Sequence, residues 1–176
     1  MDYNKLAKEV HENAVAHGWW ETEKEFGELI ALLHSEVSEA LEEYRKGHEP
    51  DETYYAEDGK PQGIPSEIAD LILRALDICG RYDIHVLKFN LERARDDMES
   101  DRGSYDCSYK GFGDLIAQEH ELITGIYTSR EHDRINEVIM SGVGMALYYG
   151  IDIESVIMEK HEYNKNRPYK HGGKML

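Results

Sequence analysis

The segment Leu32-Leu33-His34-Ser35-Glu36-Val37-Ser38-Glu39-Ala40-Leu41-Glu42-Glu43-Tyr44-Arg45 decides the fold. With Leu29 upstream, its apolar positions Leu33, Val37, Ala40, Leu41 and Tyr44 recur three and four residues apart, the period of one face of an α-helix. A basic last turn at Lys46 followed by Gly47 ends it. Glu36 and Glu39 share a face of this helix, and Glu36 falls beside Leu29, Leu32 and Ala40 at the edge of the apolar stripe. A carboxylate buried there without a partner is strongly unfavourable, or shifts its pKa until it is neutral. A facing cation removes that conflict.

The next helix repeats the arrangement. Pro65-Ser66-Glu67 reads as a helix start with proline in the first turn. Ile68, Ala69, Leu71, Ile72, Ala75, Leu76 and Cys79 then form a broad apolar face that ends around Gly80. Glu67 and Asp70 are again three residues apart, and Glu67 flanks the face of Ile68, Leu71 and Ile78. Antiparallel packing of the two helices brings four carboxylates to one point. Hard divalent cations take oxygen ligands, and Mg²⁺ binds a few carboxylates while keeping water and phosphate oxygens in its shell. One acidic pair alone is ordinarily a solvated face, and Glu42-Glu43 and the acids at Asp96, Asp97 and Glu99 are read that way.

Outward from these helices the helical period continues. A first helix is expected over about residues 3–16, ended by Gly18, with Trp19 and Trp20 in the connector. Residues 48–63 read as a loop, and the β-like run Thr53-Tyr54-Tyr55 has no evident partner strand. A further helix is expected from near His85 to about Met98, a second loop over residues 99–113, and helices over 115–127, 135–149 and 153–163. The tail from Pro168 should be irregular. The fold class is all-α, a helical bundle.

A faint internal echo runs through the pattern. Leu29-Ile30-Ala31 with His34 parallels Leu115-Ile116-Ala117 with His120, and Ile68-Ala69-Asp70-Leu71-Ile72 parallels Ile135-Asn136-Glu137-Val138-Ile139. In the second copy Arg134 stands where Glu67 would be.

The 176 residues suit one domain with a real core. No run of 18 apolar residues is present, so a membrane span is not expected, and the N-terminus carries no apolar signal region. The two cysteines, Cys79 and Cys107, fit reduced thiols in a cytoplasmic protein better than a disulfide framework. The formal charge of −16 argues against a nucleic-acid partner, because binding phosphate backbones needs Lys and Arg to displace counterions. A small polyphosphate is a different case, since carboxylate-held cations invert the local field.

Other chemistries find little support. None of the nine histidines has a Glu three residues before it, which weakens a di-iron bundle. No glycine-rich phosphate loop and no Ser or Cys nucleophile motif is visible. Trp19 and Trp20 either close the core at a helix corner or offer a stacking platform for a nucleobase. Asn164, Lys165 and Arg167 lie in a cationic stretch from Lys160 to Lys174, either a plain basic tail or a phosphate-facing one.

Taken together, these residues resemble the MazG-like family of the all-α NTP pyrophosphatase superfamily. The mark is Glu-x-x-Glu followed after a gap by Glu-x-x-Asp, here Glu36-Val37-Ser38-Glu39 and Glu67-Ile68-Ala69-Asp70. Trp20 stands upstream where family members often carry tryptophan. Glu162-Tyr163-Asn164-Lys165-Asn166-Arg167-Pro168-Tyr169-Lys170-His171-Gly172-Gly173-Lys174 is similar to the ending of one subgroup. The resemblance covers about residues 17–86 and 150–174 of a single domain, and residues 87–134 form an insertion that small members lack.

The resemblance implies a Mg²⁺-dependent enzyme, with Mn²⁺ a possible substitute, that converts nucleoside triphosphates to monophosphate and pyrophosphate. Glu36, Glu39, Glu67 and Asp70 would be its metal ligands and catalytic acids, and Glu39 the candidate to orient or deprotonate the attacking water. Trp20, Lys160, Asn164, Lys165 and Arg167 would bind substrate. It further implies a homodimer or higher homo-oligomer, although residues 115–149 could supply in one chain helices that a neighbour usually contributes. A dUTPase-like or phosphoribosyl-ATP pyrophosphohydrolase-like substrate choice on the same fold is the alternative. From another class, a non-catalytic helical protein that senses nucleotides remains open.

Overall fold

A computed structural model describes residues 1–88 and 111–170 of the chain. Among these, six α-helices carry the fold: α1 (Tyr3–Ala16), α2 (Phe26–Arg45), α3 (Ile64–Tyr82), α4 (Phe112–Ser129), α5 (Ile135–Tyr148) and α6 (Ile153–Lys165). A single helical turn, His132–Arg134, leads into α5. No helix among the described residues is long and apolar enough to cross a membrane. The all-α class expected from the periodicity is what is found.

Helix α3 is the centre. Of its 19 residues 13 are buried, and α1, α2, α5 and α6 all pack against it. Helix α2 also packs on α4, and α4 on α5. The core runs through all six helices, with Leu33, Ile64, Ile72, Leu76, Ile123, Ile135, Ile139 and Ile157 among its least exposed side chains.

Local chemistry explains the helix ends. Asp2 caps α1, its carboxylate accepting from the Lys5 N–H at 3.1 Å. The Glu28 side chain accepts from the Glu25 N–H at 2.7 Å, which closes the start of α2. Gly63, at φ 99°, turns the chain into α3, and Pro65 sits in its first turn. A side chain at Gly63 would also strike the Glu52 carbonyl at 2.3 Å.

Two sequence expectations change. Helix α3 does not stop at Gly80 but runs to Tyr82, with Asp83 in the left-handed conformation as its stop. Gly80 serves packing instead: a Cβ there would lie 2.5 Å from the Ala7 carbonyl oxygen, so its absence lets α1 approach α3 closely. The run at Tyr54 does have a partner. Tyr54–Tyr55 (β1) pairs antiparallel with Pro61–Gln62 (β2), Tyr54 opposite Gln62 and Tyr55 opposite Pro61. Two-residue strands, one opening with proline, carry too little pattern to be read as a pair.

The expected helix from His85 to Met98 is not begun by His85, which is in irregular backbone, and the rest of it lies outside the described residues. So do Asp96, Asp97, Glu99, Cys107, most of the 99–113 loop and the tail from His171.

Candidate functional site

The two acidic pairs meet where α2 and α3 pack side by side. Glu36, Glu67 and Asp70 each offer a carboxylate oxygen within 4.8 Å of the others. Glu39 stands one helical turn along α2, exposed and outside this group of three, but on the wall of the same cavity. Glu36 and Glu67 are buried, at 3% and 6% exposure. Burial raises the Glu36 carboxyl above the usual range despite the facing Arg74 charge, with Asp70 and Glu39 adding to the effect. Burial and the charge of Asp70 push Glu67 up to about 7.

Two cations are built into the cluster. The Arg74 Nε donates to Glu36 Oε1. Lys160, on α6 and completely buried, places its ammonium 2.9 Å from Asp70 Oδ2, 2.6 Å from the Ser66 Oγ and 3.2 Å from the Pro61 carbonyl oxygen. The Ser66 hydroxyl in turn donates to the Pro61 carbonyl at 2.8 Å. The carboxylate oxygens that Glu36, Glu67 and Asp70 bring within 4.8 Å of one another are the hard donors that Mg²⁺ or Mn²⁺ takes.

A cavity of about 180 Å³ opens from this cluster. It is lined by Glu36, Glu39, Asp70 and Arg74, with Lys24, Lys60 and Arg167. Apolar lining comes from Val10 and Ala14 of α1, Leu29 and Leu32 of α2, and Leu73 of α3, with Trp19 and Trp20. Trp20 is held by its ring nitrogen, which donates to both carboxylate oxygens of Asp77 at 3.0 and 3.1 Å. His11 Nδ1 lies 2.7 Å from the same carboxylate, and its ring meets the indole edge-on. The Arg81 guanidinium sits 5.3 Å from the indole centroid. Burial raises the Asp77 carboxyl above the usual carboxylate range, and its two hydrogen bonds orient the Trp20 ring.

The predicted substrate residues divide. Trp20, Asn164 and Arg167 line the cavity. Lys160 reaches the site, but as the internal partner of Asp70; with three acceptors on its three N–H groups it has none left for phosphate. Lys165 points elsewhere, paired with Glu162 on the exposed side of α6. Sequence reading missed Arg74, Asp77 and His161. His161 is 1% exposed and lines the cavity; the spacing Ile153, Ile157, Lys160, His161, Asn164 was the signal for one inward face of α6.

In the second half the echo positions meet rather than repeat the site. His34 and His120 lie with their Nδ1 atoms 2.8 Å apart where α2 packs on α4. Arg134 forms two hydrogen bonds with Glu137, both at 2.8 Å, so the counterparts of Glu67 and Asp70 are an ion pair. No family model, curated protein or solved structure matches the chain.

Proposed function

We propose that the chain is a Mg²⁺-dependent nucleoside triphosphate pyrophosphohydrolase of the MazG-like, all-α type, releasing nucleoside monophosphate and pyrophosphate. One observation carries the reading. A single cavity is lined by Glu36, Glu39 and Asp70 of the acidic cluster, by the cations Lys24, Lys60, Arg74 and Arg167, and by two tryptophans with aliphatic side chains. A cation-bound polyphosphate carrying a flat, largely apolar head satisfies both kinds of lining at once.

Glu36, Glu67 and Asp70 would hold the cation, which when bound supplies charge neutralisation for phosphate oxygens and a more acidic water. Glu39, exposed beside that group, accepts the proton of the water that adds to phosphorus. The phosphoanhydride P–O bond between the α and β phosphates breaks, and pyrophosphate leaves. Arg167 and Lys60, on the cavity lining, meet charge on the polyphosphate. Trp20, fixed by Asp77, packs against the base. Lys160 holds Asp70 in place.

The test is pyrophosphate release from a panel of canonical and modified nucleoside triphosphates with Mg²⁺, Mn²⁺ or chelator. That panel also separates dUTPase-like and phosphoribosyl-ATP-like substrate choices. Glu36→Gln and Asp70→Asn should each abolish turnover and leave the helical circular dichroism nearly unchanged. Full activity of either variant at saturating Mg²⁺ would rule out this metal site.

A further inference from the structure

His17, which caps the C-terminal end of α1, has both ring nitrogens against backbone carbonyls: Nδ1 lies 2.8 Å from the Asn13 oxygen and Nε2 2.9 Å from the Arg167 oxygen. A carbonyl only accepts, so both contacts are hydrogen bonds only when both nitrogens carry a proton. A neutral ring has one N–H and would turn a lone pair towards one of the two oxygens. The cationic ring is also the form favoured at the C-terminal end of a helix, and the last turn of α1 has no basic residue of its own.

The contact with Arg167 belongs to a wider junction between the turn after α1 and the segment after α6. The Lys170 N–H donates to the His17 carbonyl at 3.0 Å, and the Lys170 ammonium lies 3.0 Å from Glu21 Oε2. The Tyr169 ring lies against Gly18, where a Cβ would come within 2.4 Å of it. Both sides of the junction line the cavity, Asn13, Trp19 and Trp20 from one and Arg167 from the other. Its charged and titratable groups besides His17 are Glu21, Arg167, Tyr169 and Lys170. Hydrogen bonds from Tyr169 and Lys170 hold the Glu21 carboxyl below the usual range, and the bond to Glu21 raises both Tyr169 and Lys170 above theirs. An arginine keeps its charge throughout. That leaves His17 as the group of the junction whose charge changes near neutrality.

We infer that His17, carrying both ring protons, is a positioning residue that fastens residues 167–170 to the turn after α1 and so fixes where Arg167 stands on the cavity. The inference rests on the nucleotide reading of the cavity, in which Arg167 meets phosphate charge. Loss of the second proton removes one of the two bonds and frees the segment at that point, so the hold on a polyanion is firm in acid and slack in alkali.

The test follows the KM of the best-hydrolysed nucleoside triphosphate at about pH 5.5 and about pH 8.5, on either side of the range in which histidine ordinarily exchanges its second proton. In acid, His17→Phe should raise KM about tenfold, the effect of one lost hydrogen bond, with kcat near native. In alkali the two proteins should have nearly equal KM. His17→Gln, whose amide donates to a carbonyl at either pH, should match the native KM in acid and stay below it in alkali. In an Arg167→Ala background, His17→Phe should add nothing. A ratio of variant to native KM that does not change with pH, or a full further loss in the Arg167→Ala background, overturns the inference while leaving the proposed function standing. If His17→Phe does not fold by circular dichroism, native protein against His17→Gln carries the pH comparison. If no triphosphate is hydrolysed at all, the proposed function fails, and hydrogen exchange of the Lys170 N–H becomes the measurement. Protection relative to His17→Gln that falls between acid and alkali supports the fastening by itself; a constant ratio overturns it.

Discussion

Lys160 shows how far one side chain's role can sit from its sequence context. As part of a cationic stretch it reads as a phosphate ligand, yet its ammonium is enclosed by Asp70, Ser66 and the Pro61 carbonyl. That role depends on a hairpin a hundred residues upstream bringing Pro61 to α6, and no local pattern encodes it. The acids were legible because their three-residue spacing beside an apolar stripe is local. Lys160→Met should therefore destabilise the protein by about 3 kcal/mol, since a half-buried carboxylate and two further acceptors lose their partner. Urea unfolding followed by circular dichroism measures this. A phosphate-binding lysine would instead give native stability and a raised KM.

At the scale of elements, periodicity located all six described helices, because an amphipathic face is written into each stretch. What it could not supply was the contact made by each face. Gly80 is the clearest case: in sequence it reads as a stop, and in space it is the point where α1 lies against α3. Ala is the better helix former by roughly 1 kcal/mol. Even so, Gly80→Ala should cost about 1–3 kcal/mol, because the added methyl would meet both the Ala7 carbonyl and the His11 Cβ, the latter at 2.6 Å. Thermal and urea unfolding of the variant decide between the two signs. An increase in stability would show that α1 can move away at little cost.

For the whole molecule, pH is the sharpest probe. Glu119, on α4, is buried; its Oε2 accepts from the Ser141 hydroxyl, and among the described residues Oε1 has no partner. Burial pushes its carboxyl up to about 7, against 4.5 for the ordinary group. Between those values the folded chain keeps a proton that the unfolded chain has lost. Its contribution is therefore full below pH 4.5 and is lost as pH rises to about 7, a change of roughly 3 kcal/mol. Glu119→Gln should flatten this fall and leave the variant more stable than the native protein at pH 8, by urea unfolding at pH 5 and pH 8. Glu67 contributes a slope of the same sign, and Mg²⁺ at the proposed site should suppress that part only.

The cations Arg74 and Lys160 give the acidic cluster another property: it carries internal partners for two of its carboxylates. Sites whose carboxylates repel one another unopposed come apart when emptied and must be rebuilt by the incoming ion. Here part of that repulsion is answered from within, so the helices would not need an ion to bring them together. If the proposed cation binds there, stripping with chelator and reloading should be a reversible exchange on a finished scaffold, without each cycle passing through an unfolded chain.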